Sequence, residues 1–350
     1  MNLLEDLHRA VSLKRGSGTI TEMQYAAYLT QRLPVSMIDE AGNLYVDLRT
    51  EPHHRTCFTA HIDTVHHKSG SNVYTIDGQF WKASGDALGA DDGAGIALLL
   101  YLIDHRVPAL YVFFRGEECG GTGSVWASAN MAELFSTVDR AIAFDRAGYH
   151  DVITKQAGGR CCSDEFATSL SEALTNEEFT RAFTACDTGV FTDTANLVDI
   201  VPECTNVSCG YFSQHGDREK QDVEFLQILA SRIVEIDWDA LPVKREMYQK
   251  PKSRWAQDWA HWAHWGADDS DAPRSGDDTG EELYKALVLA EQGVYTPLRS
   301  LLSDHLGAEY APYVNKLNFS TAAIDTAFEA ILDGEDEDYV YSLLYGGHMV

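Results

Sequence analysis

The sequence is poor in basic residues: it has 27 Lys and Arg residues against 54 Asp and Glu residues, a formal net charge of -27 at pH 7. Nucleic acids and anionic membrane surfaces bind positively charged protein surfaces. The deficit therefore argues against nucleic-acid and membrane partners. It favours a solvated acidic surface and leaves cationic ligands open.

Three further features are missing. The seven cysteines are scattered and lack the CxxC spacing of a zinc knuckle. The first residues lack the basic start and apolar core of a signal peptide, and no apolar run reaches membrane-spanning length. We therefore expect a reduced, cytoplasmic protein.

The size and patterning of the chain predict an α/β fold. With 350 residues and 45% hydrophobic content, it can bury a sizeable core. Short apolar runs at 56–60, 109–114 and 141–144 are typical of buried strands, and helical patterns at 96–103 and 124–135 separate them. This alternation predicts a mixed, mostly parallel central sheet with helices on both faces. Ligands of such sheets gather beyond the carboxyl ends of the strands.

The character of the chain changes near residue 250. We predict a catalytic domain at 1–247, a Trp-rich helix with an acidic linker at 248–280, and an appended helical module at 281–350. The tryptophans between 255 and 265 recur at helical spacing, which indicates core packing more often than a binding surface. The helical module is our candidate for homo-oligomer contacts.

Two adjacent acids, Asp91 and Asp92, stand between glycines immediately before the predicted helix at 96–103. Acids on such a turn often do no more than cap the helix. However, an acid pair is costly to bury unless hydrogen bonds, a cation or a metal ion compensate its charge. The residues that accompany this turn favour a metal.

Further polar residues lie at or just beyond the ends of the predicted strands. Together with Asp91 they form a set of two histidines and five acids: His61, Asp63, Asp91, Glu117, Glu118, Asp145 and His215. Histidine and carboxylate side chains suit zinc or a similar divalent ion. Five ligands are too many for one tetrahedral catalytic zinc, but they suit two metal ions that share a bridging carboxylate.

Two of the acids have other predicted roles. Asp63 lies two residues after His61 and can accept the proton of the ring nitrogen that does not bind metal, which fixes the tautomer. Glu117 is left unligated beside Glu118 and is free to act as the general base on the attacking water. The predicted metal ligands are therefore His61, Asp91, Glu118, Asp145 and His215, and the predicted catalytic residues are Glu117 and Asp63.

Five motifs occur in order between residues 57 and about 220: HIDTV, GADDGAG, GEECGGTGS, the Asp of AIAFDRAG and the His of GYFSQHGDRE. In this combination the chain resembles the di-zinc exopeptidases of metallopeptidase clan MH. The resemblance implies the zinc-exopeptidase, phosphorylase/hydrolase-like fold and a cis peptide between Asp91 and Asp92. It also implies Asp91 as the bridging ligand, His61 and Asp145 as the ligands that complete one metal site, and Glu118 and His215 as those of the other.

The intervals between the motifs narrow this resemblance. From His61 to Asp91 the chain is too short for the small β domain of the clan's large-assembly aminopeptidases. From Asp145 to His215 it is too short for the lid domain of the dimeric carboxypeptidases and deacylases. The chain most resembles the single-domain aminopeptidase branch, which implies hydrolysis of a peptide or small amide with two divalent ions. We expect zinc, with cobalt or manganese as alternatives.

Other interpretations stay open. Arg146 or Arg160 could hold a substrate carboxylate, which would suit a carboxypeptidase or an N-acyl amino acid amidohydrolase on the same metals. The third interpretation is a non-catalytic scaffold protein on this fold. It predicts that some metal ligands have been lost, and none of the five is missing. By resemblance, Asp193 borders the substrate pocket, while a helix cap is an equal alternative. Tyr211 is a candidate to assist the oxyanion.

Overall fold

The computed structural model describes residues 2–247. The predicted Trp-rich helix, the acidic linker and the module at 281–350 lie outside the described residues. The division of the chain into three parts, and the homo-oligomer contacts assigned to the last of them, therefore stay predictions.

The described residues contain fourteen strands and seven α-helices. In chain order, the strands are β1 (Met37–Ile38), β2 (Leu44–Asp47), β3 (Thr56–His61), β4 (Tyr74–Asp77), β5 (Phe80–Ala83), β6 (Leu110–Phe114), β7 (Arg140–Arg146), β8 (Asp151–Ile153), β9 (Lys155–Gln156), β10 (Gly159–Arg160), β11 (Thr184–Cys186), β12 (Glu203–Ser208), β13 (Tyr211–Phe212) and β14 (Lys220–Asp222). The helices are α1 (Leu3–Val11), α2 (Ile20–Arg32), α3 (Ala90–Asp104), α4 (Thr122–Asn130), α5 (Ala132–Phe135), α6 (Asp164–Leu174) and α7 (Val223–Ile233).

Eight strands form the central sheet, in the order β1-β2-β6-β3-β7-β12-β8-β11. The four central strands β6, β3, β7 and β12 run parallel to one another. At one edge, β1 and β2 form an antiparallel hairpin that pairs with β6. At the other edge, β8 runs antiparallel to β12 and parallel to β11. This mixed, mostly parallel sheet confirms the predicted fold class.

Alternate residues of a strand point to opposite faces of the sheet, and both faces of the central sheet are buried under a hydrophobic core. In β3, Phe58 packs into a core on one face, which includes residues of α1, α3 and α7. The neighbouring Cys57 packs into a second core on the other face with Phe135 of α5. Helix α3 buries residues on all of its sides, as expected for a helix that is apolar all round.

The prediction of one continuous helix at 124–135 is wrong. This stretch forms two helices, α4 and α5, that meet at Met131. All seven cysteines lie within the described residues and are free thiols. Over residues 2–247, every helix is too short or too polar to span a bilayer.

A second sheet is absent from the sequence predictions. Its four strands have the order β13-β14-β5-β4, and β4 and β5 form a hairpin within the interval between His61 and Asp91. Strand β14 joins this hairpin by pairing antiparallel with β5. The sheet therefore ties the chain before Asp91 to the chain around His215. Such non-local pairing leaves no periodic signal in either segment.

Candidate metal centre

The predicted site residues converge at the carboxyl-end edge of the central strands. His61 is the last residue of β3, and Asp145 lies one residue before the end of β7. Glu117 and Glu118 follow β6 in a short 3₁₀-helix, and Asp91 lies at the start of α3, where its own backbone is not helical.

Asp91 lies between two histidines. Its Oδ1 atom is 3.0 Å from Nε2 of His61, and its Oδ2 atom is 3.1 Å from Nε2 of His215, in the loop between β13 and β14. Asp145 Oδ1 lies 3.7 Å from the His61 nitrogen, and Glu118 Oε1 lies 3.2 Å from the His215 nitrogen. All five predicted ligands therefore meet, with Asp91 in contact with both histidines.

The donor atoms of these residues lie close enough to hold metal ions. Three overlapping groups have ligand atoms within 4.8 Å of one another: His61 with Asp92 and Asp145, His61 with Glu117 and Glu118, and Asp91 with Glu118 and His215. The last group contains the residues predicted for the metal site of Glu118 and His215, together with the bridging Asp91. The first contains Asp92 as well as two predicted ligands.

Asp92 is the member of the acid pair that sequence analysis leaves without a role. Its two carboxylate oxygens accept hydrogen bonds from the main-chain nitrogens of His61, at 3.2 Å, and Gly95, at 2.9 Å. It therefore joins the end of β3 to the first turn of α3. The peptide bond between Asp91 and Asp92 is cis, as the resemblance implied.

The electrostatics of the centre favour the ionised form of Asp91. Burial raises the pKa of Asp91, but hydrogen bonds from His215 and His61 lower it to well below its ordinary value. Hydrogen bonds to Asp91 and Glu118 raise the pKa of His215 to about 10. Burial raises the pKa of Asp145 to about 6, and the charge of Asp91 adds to this rise. Metal binding would release the protons from the histidines, since a metal ligand must be deprotonated.

Asp145 is held by several hydrogen bonds. Thr192 Oγ1 donates to its Oδ2 at 2.7 Å, and Tyr211 Oη donates to its Oδ1 at 3.1 Å. The Asn206 side chain accepts from the Asp145 main-chain nitrogen at 2.8 Å and donates to its carbonyl at 2.7 Å. Tyr211, which sequence analysis considers for the oxyanion, thus orients the Asp145 carboxylate in the structure.

Asp63 connects two parts of the centre. Its carboxylate accepts hydrogen bonds from the main-chain nitrogens of Gly116 at 2.9 Å, Glu117 at 3.1 Å and Glu118 at 3.3 Å. The Nδ1 atom of His61 lies 3.2 Å from the Asp63 carbonyl oxygen and 3.6 Å from its carboxylate. The residue is therefore placed to orient both the His61 ring and the 3₁₀-helix that carries the two glutamates.

Glu117 lines the cavity of the centre, and no Lys, Arg or His among residues 2–247 forms an ion pair with it. Burial raises its pKa to about 9, and the charges of Asp145, Asp193 and Asp91 add to the rise while His61 opposes it. A bound cation would act in the same direction as His61 and favour the carboxylate form. The pKa of Glu117 therefore depends on whether the centre holds a cation.

Glu219 is a supporting residue that sequence reasoning missed. Its carboxylate accepts hydrogen bonds from the main-chain nitrogens of Leu88 at 2.8 Å, Gly89 at 3.0 Å and Asp91 at 3.0 Å. It thereby holds the turn that presents Asp91. It is the last residue of the GYFSQHGDRE motif, from which sequence analysis used only the histidine, and the second sheet brings this part of the chain to the turn.

The centre opens into a cavity of about 350 Å³. Its acidic side is formed by Asp91, Glu117, Glu118 and Asp145, and the apolar part of its lining includes Ile153, Val190 and Phe191. Beyond the acids, these side chains give the cavity an apolar wall, which is the usual character of a small-molecule site.

Of the remaining candidates Arg146, Arg160 and Asp193, Arg146 alone lines this cavity. Arg146 lines it but also pairs with Asp151 at 3.2 Å, whereas Arg160 is exposed and pairs with Asp164 at 2.7 Å. Asp193 is buried at the start of the 3₁₀-helix Asp193–Leu197, and its Oδ1 atom has no hydrogen-bond partner among the described residues. Burial raises the pKa of Asp193 to about 7.

No protein-family model matches the sequence, and no curated protein matches it. The solved structures that are similar to the chain include three peptidases. Aminopeptidase PepT from Bacillus cereus ATCC 10987 has 17% identity and a TM-score of 0.55, and the match covers 66% of this chain and 96% of that one. The TET1 peptidase of Pyrococcus horikoshii has 15% identity and a TM-score of 0.52, with coverage of 67% and 98%. Aminopeptidase APDkam598 from the archaeon Desulfurococcus kamchatkensis has 14% identity and a TM-score of 0.50, with coverage of 66% and 93%. The fold is that of these peptidases. At such identities the likeness establishes the fold alone.

Proposed function

We propose that the protein is a metal-dependent exopeptidase, an aminopeptidase that uses two divalent metal ions, zinc in the first instance. The observation that carries the proposal is the position of Asp91, with one carboxylate oxygen facing each of two histidines at 3.0 and 3.1 Å. Each histidine has a further carboxylate beside it, from Asp145 or Glu118. A shared carboxylate between two such sets is the donor chemistry of a paired metal site.

The residues fit such a pair of ions. His61 and Asp145 would hold one, Glu118 and His215 would hold the other, and Asp91 would bind both. The Oε1 atom of Glu118 is buried, and no donor within the described residues contacts it except the His215 ring at 3.2 Å, so it is left to bind a cation together with that histidine. When bound, the ions would supply Lewis acidity to the scissile carbonyl and to the attacking water.

Glu117 would move the proton in this reaction. Its carboxylate would take a proton from the attacking water and deliver it to the leaving amine, a step that typically contributes about 10²–10⁴-fold. Asp63 would keep the His61 ring and the 3₁₀-helix in place during the reaction. Thr192 and Tyr211 would do the same for Asp145, through the hydrogen bonds that they donate to it.

The chemistry of the cavity favours an aminopeptidase over a carboxypeptidase or amidohydrolase. A carboxypeptidase or amidohydrolase needs a cationic group in the cavity that is free to bind the substrate carboxylate. Arg160 does not line the cavity, and Arg146 already pairs with Asp151. Two of the similar structures are named as aminopeptidases, which supports the same assignment.

The decisive experiment compares two substrate panels with and without chelator. Aminoacyl-anilides test the aminopeptidase, and N-acyl amino acids test the carboxypeptidase or amidohydrolase. We expect hydrolysis of the anilides that EDTA abolishes and zinc restores, together with two zinc ions per chain by metal analysis. Turnover of the N-acyl amino acids alone would assign the reaction to the alternative. Inactivity on both panels with zinc bound would favour a scaffold.

A further inference from the structure

Arg15 is a fully buried arginine behind the metal centre. It lies between α1 and α2, and its exposed fraction is 0%. Arginine is rarely buried to this extent unless it is paired with an acid. Within residues 2–247, Arg15 has no carboxylate within ion-pair distance, so its guanidinium must be satisfied in another way.

The guanidinium donates to three main-chain carbonyls. Its Nε atom donates to Ala10 at 3.2 Å, one Nη atom donates to Ile62, and the other donates to Gly89 at 3.1 Å. Ile62 lies between His61 and Asp63, and Gly89 lies two residues before Asp91. One side chain therefore connects the two segments that carry the histidine and the shared carboxylate.

The surroundings of Arg15 are built to hold it. The guanidinium carbon lies 5.0 Å from the centre of the Tyr25 ring, a cation–π contact. A Cβ atom on Gly93 of α3 would lie 3.2 Å from the Ala10 Cβ and 3.3 Å from the guanidinium, so glycine at this position leaves room for both. The Arg15 carbonyl also accepts a hydrogen bond from the main-chain nitrogen of Thr64 at 3.0 Å. Both its side chain and its backbone thus contact the loop after His61.

The charge of Arg15 also acts on the centre. Asp63, Asp92 and Glu219 are among the groups whose negative charges favour the protonated guanidinium, although burial lowers the pKa of Arg15 overall. Arginine stays charged in proteins even so. This cation therefore partly offsets the acids from beneath, on the side away from the cavity.

The geometry points to Arg15 as a positioning residue of the metal centre, which fixes His61 and Asp91 relative to each other through the carbonyls of Ile62 and Gly89. This role rests on the proposed function, because the segments of His61 and Asp91 need a fixed relative position only if they bind the same metal ion. Partners of this kind beyond the ligands typically change metal affinity or activity by about 10–100-fold when they are mutated. The planar guanidinium of Arg15 has several donors in fixed directions, which suits two carbonyls on different segments. A lysine ammonium lacks this geometry.

The test compares Arg15→Met and Arg15→Lys with wild type and with Arg9→Met. Arg9 is a matched control because it lies on α1, is exposed and contacts the Tyr28 ring at 4.4 Å. Zinc affinity is measured by competition with a chelator, and the geometry of the site is read from the visible spectrum of the cobalt-substituted protein. We expect Arg15→Met to weaken zinc binding at least about 10-fold and to alter the cobalt spectrum, while Arg9→Met changes neither.

Arg15→Lys keeps the buried charge and carries the test if Arg15→Met fails to fold. We expect it to weaken zinc binding in the same direction by a smaller factor, with an altered cobalt spectrum. A folded Arg15 variant with wild-type zinc affinity and spectrum would overturn the inference. Tighter zinc binding would also overturn it, since it would show that the guanidinium acts only by repelling the ions. Wild-type protein that takes up no zinc would instead refute the proposed function.

Discussion

Buried acids occur at both ends of the central strands, and their partners differ. At the amino end of β12, Glu203 accepts hydrogen bonds from the Ser163 main-chain nitrogen and hydroxyl at 2.7 and 2.8 Å. It also accepts from the main-chain nitrogens of Lys244 at 2.6 Å and Arg245 at 2.9 Å. At the carboxyl ends of the strands, Asp91 and Glu118 instead face histidines and other acids. The carboxylate of Glu203 therefore has its hydrogen-bond donors within the protein, whereas the carboxylates of Asp91 and Glu118 lack such a set of main-chain donors among the described residues.

This difference separates structural acids from candidate ligands. A buried carboxylate with main-chain donors on its lone pairs needs nothing further. Carboxylates that face one another raise each other's proton affinity unless a cation lies between them. By this criterion Glu203 and Asp63 belong with the structural acids, and Asp91, Glu118 and Asp145 belong with the candidate ligands. The predictions below test that division.

The largest effect is expected from Glu117→Gln. If Glu117 moves the proton, its amide variant should lose about 10²–10⁴-fold in kcat on an aminoacyl-anilide, because glutamine cannot accept the proton. Its zinc content should not change, since Glu117 is not a predicted ligand. Glu133→Gln, on the exposed face of α5, serves as the control. A Glu117→Gln variant as active as wild type would show that the base assignment is wrong.

The next effect concerns metal removal. Zinc at a free concentration 100-fold above its Kd should stabilise the folded protein by about 2.7 kcal/mol per site, and EDTA should abolish this gain. Asp91→Asn should lose the stabilisation at both sites, because an amide is a weaker ligand for two cations. Thermal unfolding with and without zinc measures the effect, with the exposed Asp77→Asn as control. A full zinc response in Asp91→Asn would remove the shared carboxylate from the proposal.

The sequence predicts the parts of the centre that local patterns can carry. The acid turn is marked by its glycines, and the apolar strands place His61 and Asp145 at their ends. What it misses depends on contacts between distant segments. Glu219 reaches the Asp91 turn only through the second sheet, and Arg15 has no motif because its acceptors are main-chain carbonyls. The strands β4 and β5 also escape prediction, since β4 is largely exposed and has no burial alternation.

A smaller and purely structural effect is expected from Glu203→Gln. The glutamine would place an NH₂ group against donors that now meet a carboxylate, and the free energy of unfolding should fall by about 1–3 kcal/mol. Zinc affinity and kcat should stay at their wild-type values, because Glu203 lies at the other end of its strand. Urea unfolding and zinc titration measure the two quantities. A loss of zinc affinity comparable with that of Asp91→Asn would remove the distinction between the two ends.

The smallest effect is a pH dependence at His66, a buried side chain close to the centre with partners of its own. Its Nδ1 lies 2.7 Å from the Thr64 hydroxyl and its Nε2 lies 3.0 Å from the Ala87 carbonyl, and burial lowers its pKa. The unfolded chain therefore binds the proton first as pH falls, so the contribution of His66 to stability is present above the unfolded pKa of about 6.5 and is lost as pH falls below it. Urea unfolding in EDTA at pH 7.5 and 5.5 should show a smaller loss for His66→Asn than for wild type, by no more than about 1.4 kcal/mol per pH unit. His67→Asn, the exposed neighbour, should behave as wild type. Equal pH dependence in wild type and His66→Asn would mean that this histidine titrates alike in the folded and unfolded chains, and that burial does not hold it neutral.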